Sequence, residues 1–182
     1  MTTDMMKVRS LVKRMGLKMN RGNVGASDHT QDEYFMKLAL DASRGALPGC
    51  IPNPPVGCVL VRKNELISTG FTHPPGGFHA EAHALSQVIG DLDDVTAYVT
   101  LEPCAFRGRA PSCAISMLER KLKAVVVALV DPDPRNNGKG VELLRAGGIE
   151  VRVGVLAETV SAFISPYLNM PANHSVNCGA HV

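Results

Sequence analysis

The chain has little that would tie it to a membrane or to nucleic acid. No apolar run approaches the roughly 18 residues of a spanning helix. The formal net charge is only +2, too small for a strong field toward nucleic acid or an anionic lipid surface. A secretory apolar region is also missing, and the five cysteines are an odd number, so a disulfide framework is a poor reading. A reducing cytosol, where thiols stay free to hold metal, suits the chain better. There is no internal repeat and no second domain. What is present is a chain of 182 residues, 45% hydrophobic and 20% charged, long enough for one soluble domain with a real core.

Residues 1–29 stand apart as a basic leader carrying Lys7, Arg9, Lys13, Arg14, Lys18 and Arg21. Val8, Leu11, Val12, Met15 and Met19 recur at helical spacing, which allows a short amphipathic helix, although a solvated arm is the simpler reading. The folded domain is expected over 30–170, opening with a capping box at Thr30-Gln31-Asp32-Glu33. Beyond it, 171–182 reads as a flexible tail. A stiff loop, Pro52-Asn53-Pro54-Pro55, precedes a strand over 56–61, and the Lys63-Asn64 turn leads to a second strand over 65–71. Helical segments over 79–89, 112–121, 141–146 and 156–168 then alternate with strands over 95–101, 123–130 and 149–153. The alternation after an initial hairpin gives an α/β class with a mixed sheet and helices on both faces. The run Lys123 to Val130 is almost continuously Val, Ala and Leu, the mark of a strand covered on both sides.

The residues that carry chemistry lie between His79 and Cys113. His79-Ala80-Glu81 is followed by Leu101-Glu102-Pro103-Cys104 and then by Cys113. One imidazole and two thiols supply the three protein ligands of a catalytic zinc, whose fourth position stays open for water. Two of the three fall at or just before helix N-termini, where the macrodipole and free N–H groups favour thiolate. Zinc lowers the pKa of water toward neutrality, and Glu81 is placed to move a proton from that water to a leaving amine. On an ideal helix Glu81 points about 200° away from His79, but at a first turn the backbone is only partly helical. Cys50, Cys58 and Cys178 have no partner motif and read as structural thiols. His83, at i+4 from His79, offers a fourth ligand but more simply packs under the site. Asn53 is either a turn residue or a ligand contact, and composition alone favours the turn.

His79-x-Glu81 followed by Pro103-Cys104 is the zinc deaminase signature, with the second cysteine delayed to Cys113. In that delay the chain resembles the deaminase domain of the bifunctional riboflavin-biosynthesis deaminase-reductases. Pro52-Asn53-Pro54 with Val56-Gly57, His79 through Ala84, Tyr98 through Cys104, and Asp131-Pro132 look like that family, over roughly residues 32–168. The resemblance implies a three-layer α/β/α cytidine deaminase-like fold with a mixed five-stranded sheet. It implies zinc on His79, Cys104 and Cys113, with Glu81 as the proton shuttle. Asn53, His73, Arg109, Asp131 and Asp133 would face the substrate, and Asn53 is thereby moved from turn residue to ligand contact. The implied substrate is a small molecule, diaminohydroxyphosphoribosylaminopyrimidine, losing its exocyclic amino group by hydrolysis. At least a homodimer is implied. Because the chain stops near Val182, a reductase step would need a separate protein.

The chain departs from the family in three places. Arg109 stands where a lysine usually meets the substrate phosphate, keeping the charge but changing donor geometry. Asp133 stands where the family has Asn, and its carboxylate would repel a phosphate unless Arg107 or Arg109 neutralises it. Ala105-Phe106 replaces Ser-His. These changes predict retained deamination with an altered substrate tail, as in a deaminase of a related amino-heterocycle in a salvage or secondary-metabolite pathway. The long Cys104–Cys113 spacing argues against cytosine, guanine and tRNA branches. A non-catalytic zinc-stabilised binding module is the reading of another class, and Glu81 speaks against it, since a closed structural site has no use for a proton shuttle.

Overall fold

The computed structural model describes residues 28–106 and 112–168. The leader (but for Asp28 and His29), Arg107, Arg109, the tail and Cys178 lie outside the described residues. In chain order the elements are α1 (Asp28–Arg44), β1 (Gly57–Arg62), β2 (Glu65–Phe71) and α2 (Ala80–Ser86). They continue as β3 (Val95–Leu101), α3 (Cys113–Glu119), β4 (Ala124–Leu129), α4 (Lys139–Ala146), β5 (Glu150–Val153) and α5 (Ala157–Leu168).

The five strands form one sheet in the order β2-β1-β3-β4-β5. The β1–β2 and β1–β3 pairs are antiparallel, while β3–β4 and β4–β5 are parallel. Lys63 and Asn64 both take positive φ, 49° and 64°, the left-handed pair that a tight hairpin turn needs. Helices α2, α3 and α4 cover one face through Ala80, Ala84, Leu85, Met117, Val141 and Leu144, which meet Cys58, Leu60, Ala97, Val99, Val125 and Val127. On the opposite face α1 and α5 pack Phe35, Met36, Val160 and Ile164 against Val59, Tyr98, Val126 and Ala128. The alternation along β4 sends Val125 and Val127 to one layer and Val126 to the other, which is why its sequence is apolar without a break.

Helix α1 starts at Asp28, not at a cap on Thr30. Thr30 thus lies inside the helix, and the spacing of a capping box does not by itself fix which residue opens it. Helix α2 closes at Ser86, short of Ile89, because Gln87 Nε2 donates to Thr69 O and His83 O at 2.7 and 2.9 Å and Ile89 is left 97% exposed. One close approach fixes where α2 lies. A Cβ on Gly70 of β2 would come 2.1 Å from Ala80 O, so only glycine lets the first turn of α2 rest on the sheet. Across the sheet, buried Asp32 accepts from Tyr98 Oη at 2.9 Å and from Arg152 Nη2 at 3.0 Å, tying α1 to β3 and β5.

Candidate active site

The three ligand residues reach one point from three elements at the carboxyl ends of β3 and β4, where open α/β sheets hold their ligands. His79 precedes α2 in extended conformation, φ −70° and ψ 161°. It is therefore not on the helix at all, and the angular objection to Glu81 facing the same centre disappears. Cys104 follows β3. Cys113 opens α3, whose N-cap Ser112 accepts from Ile115 N at 3.3 Å and donates to Cys104 O at 2.6 Å. Ala114 N donates to the same carbonyl at 3.2 Å. The start of α3 and the strand-end loop are thus stitched together at the two cysteines.

His79 Nδ1 lies 3.5 Å from Cys113 Sγ and 3.8 Å from Cys104 Sγ, and the three ligand atoms all fall within 4.8 Å of one another. A tetrahedral zinc with ordinary bond lengths separates nitrogen from sulfur by about 3.6 Å. The donor set and its spacing therefore suit zinc. Two thiols this close share one proton. Cys104 is drawn down to about 4, first by the Cys113 thiol donating to it, then by His79 and by the Cys113 N–H at 3.3 Å, with burial opposing. Cys113 is pushed up as that donor and by its burial near Glu81. A bound cation replaces such a proton.

Glu81 sits in the first turn of α2, only 4% exposed. Burial pushes its carboxyl up to about 7, the Cys104 thiolate adds to this, and His79 partly offsets it. A group poised near neutrality is what proton transfer in both directions requires. His79, Glu81 and Cys104 open onto one cavity of about 280 Å³, walled also by Asn53, Phe106 and the loop after β4.

The structure brings Asn53, Asp131 and Asp133 to that wall. His73 does not line it. Its Nε2 points to His83 Nδ1 at 3.1 Å, and both rings pack with Phe71 at the end of β2. His83 Nδ1 also accepts from Phe71 N at 3.3 Å, so His83 packs on the sheet rather than joining the ligands. Cys50 and Cys58 are free and buried.

Three roles were not visible in the sequence. Glu102 is buried and accepts backbone N–H groups of Asp131, Gly138, Gly140 and Val141 at 3.1, 2.9, 2.8 and 3.2 Å. It satisfies N–H groups at the start of α4, whose N-cap residue is Gly138, and the helix begins at Lys139, ahead of the start at Val141 that the sequence suggested. Asn136, fully buried, accepts from Ala105 N at 2.9 Å through Oδ1, and its Nδ2 lies 3.4 Å from Asp131 Oδ2. It holds the loop carrying Cys104. Gly140 completes the junction, for a Cβ there would stand 1.9 Å from Pro103 O. Third, the charge partner of Asp133 is Arg135, whose Nε lies 3.0 Å from both carboxylate oxygens and holds that carboxyl below its usual range. Among the described residues the neutralisation of Asp133 comes from two residues away, while Arg107 and Arg109 lie outside them. The Asp131-x-Asp133-x-Arg135 spacing was the available signal: each Asp side chain accepts the N–H two residues on, at 2.9 Å, in successive Asx turns.

An acid poised near neutrality beside a His-Cys-Cys centre, at the carboxyl edge of a sheet in this order, defines the class of deaminases with the cytidine deaminase-like fold. The chain belongs to the family described as the cytidine and deoxycytidylate deaminase zinc-binding region, whose model matches residues 29–129. It is 44% identical over 127 residues to the riboflavin biosynthesis protein RibD of Haemophilus influenzae, covering 70% of this chain and 34% of that one. It is similar to the solved structure of Acinetobacter baumannii RibD, with TM-score 0.75 and 42% identity over 78% of this chain and 40% of the other. A diaminohydroxyphosphoribosylaminopyrimidine deaminase/5-amino-6-(5-phosphoribosylamino)uracil reductase from Thermotoga maritima matches at TM-score 0.74 and 39% identity, over 78% and 41%. The chain spans about a third of the length of the curated relatives it matches. Among the described residues no helix is long and apolar enough to cross a membrane.

Proposed function

We propose that this domain hydrolytically removes the exocyclic amino group of diaminohydroxyphosphoribosylaminopyrimidine, with zinc on His79, Cys104 and Cys113. The observation that carries the reading is buried Glu81 opening onto the same cavity as His79 and Cys104 of the three-ligand cluster. Zinc held there supplies Lewis acidity, bringing the pKa of a water down toward neutrality. Glu81 would accept a proton from the attacking water and deliver it to the departing nitrogen, which leaves as ammonia. Its burial keeps the carboxyl able to hold and to release a proton near neutral pH. Asn53, presented by the proline-stiffened loop, offers both an amide donor and an acceptor to the edge of the ring. Asp131 shapes the wall next to it.

Relatives at 44% and 42% identity named for riboflavin biosynthesis favour the diaminopyrimidine over other amino-heterocycles. The product then passes to a reductase activity, which the Thermotoga maritima protein's name pairs with the deaminase. Assembly into at least a dimer belongs to the same reading. So does a reducing compartment, since thiol ligands must stay unoxidised.

The assay is ammonia release by the zinc-loaded chain from the phosphorylated diaminopyrimidine, with deoxycytidylate, cytosine and guanine as competitors. The expected outcome is a kcat/KM for the diaminopyrimidine at least about 10⁴-fold above each competitor, the scale at which a site built to hydrogen-bond its substrate rejects an analogue that lacks the matching groups. Faster turnover of any competitor overturns the substrate assignment.

A further inference from the structure

The wall of the cavity beyond β4 carries several charged groups, and their hydrogen bonds decide what it presents. Glu102 spends its oxygens on four backbone N–H groups. Asp131 is taken by Asp133 N and Asn136. Asp133 is taken by Arg135, through both the backbone N–H and the guanidinium. Glu102 and Asp133 therefore use their acceptors internally, while Asp131 accepts one N–H on each oxygen.

Arg135 is the opposite case. Asp133 engages its Nε and Nη2 edge, and among the described residues the remaining N–H groups of the fork have no partner. The guanidinium stacks 4.7 Å from the centroid of Phe106, and its side chain is 68% exposed. Phe106 is in turn placed by its neighbour Ala105, whose N–H is fixed by buried Asn136. A carboxylate on one edge and a ring on one face hold the arginine in a single orientation on the cavity wall. A flexible surface arginine would have to give up rotamer freedom on binding, whereas this one has already done so. The result is an aimed cation with free donors, on a wall where Glu102 and Asp133 have their oxygens engaged.

We propose that Arg135 is the specificity-determining residue for the phosphate on the substrate's tail, oriented by Asp133 and Phe106. The proposal rests on the diaminopyrimidine reading and sharpens it. Asp133 does not repel the phosphate; it fixes the group that attracts it. This removes the Asp133 ground among the three on which the sequence suggested an altered tail, and it adds a residue after β4 to the recognition of the phosphate.

The test compares kcat and KM for the phosphorylated diaminopyrimidine and its dephosphorylated counterpart in the zinc-loaded wild type, Arg135→Gln and Arg135→Lys. Inorganic phosphate serves as a competitive inhibitor in each. Arg135 is exposed, so folding and zinc content should be retained and are checked directly. In Arg135→Gln the preference for the phosphorylated substrate is expected to fall about ten- to hundredfold, the range for a charge-assisted hydrogen bond. That loss resides in KM, as for binding that is equal in ground and transition states. Inhibition by phosphate weakens in parallel, and Arg135→Lys recovers part of both, since it keeps the charge without the fork. An unchanged preference in Arg135→Gln overturns the role of Arg135 while leaving the deaminase reading intact. A wild type that releases no ammonia from either pyrimidine overturns that reading, and the role of Arg135 falls with it.

Discussion

Glu81→Gln is expected to keep about one zinc per chain and to lose ammonia release by about 10²–10⁴-fold. The amide has the size of the carboxyl and stays within the same buried turn of α2, so the core made by Ala80, Ala84 and Leu85 is not disturbed. Glu81 is also outside the three-ligand cluster, so metal content should not follow activity. What the amide lacks is the ability to take a proton from water and give it to the leaving nitrogen. Because that transfer belongs to the transition state, the loss should appear in kcat with little change in KM. Kinetics on Glu81→Gln alongside elemental analysis provide the check. If turnover survives within about tenfold of wild type, below the usual contribution of a general acid-base group, another residue moves the proton. If the metal is lost instead, Glu81 is a ligand and the division of roles is wrong.

Cys113→Ala should do the reverse, removing the metal and the activity together. Cys113 is 3% exposed at the start of α3, and alanine keeps the helix while deleting one of only three protein donors. Loss of an outer hydrogen-bond partner costs metal affinity about 10–100-fold, and loss of a ligand costs more. Metal that binds only the folded chain also stabilises it by mass action. A chelator should therefore lower the Tm of the wild type and leave that of Cys113→Ala unchanged. Thermal scans with and without chelator, paired with zinc analysis, read both effects. A variant that still holds about one zinc per chain and still responds to the chelator would show that Cys113 is not a ligand.

The parts that were legible in the sequence are those set by local pattern. The strands β2 and β3 fall where alternating and continuous apolar runs put them, and the Lys63-Asn64 turn closes the hairpin it suggested. The His79, Glu81, Cys104 and Cys113 spacing was a motif before it was a geometry. What stayed hidden depends on residues distant in sequence. Glu102 satisfies the opening N–H groups of α4 from the end of β3, a support that no local signal around the N-cap Gly138 reports. His73 was drawn toward the substrate by resemblance. The structure turns it to His83, because the end of β2 and the first turns of α2 face one another across Gly70. Asp133 looked unpaired because the nearest arginines by family analogy were Arg107 and Arg109. The Asx turn that folds Arg135 back onto it is a property of side-chain acceptors, which hydrophobic periodicity does not report.

The central claim is an open zinc site with one imidazole and two thiolates, and X-ray absorption at the zinc edge of the loaded chain tests it most directly. The account predicts two sulfur neighbours at about 2.3 Å and two light-atom neighbours at about 2.0–2.1 Å, one from His79 and one from exchangeable solvent. Four sulfur neighbours, or a shell of light atoms alone, would contradict it.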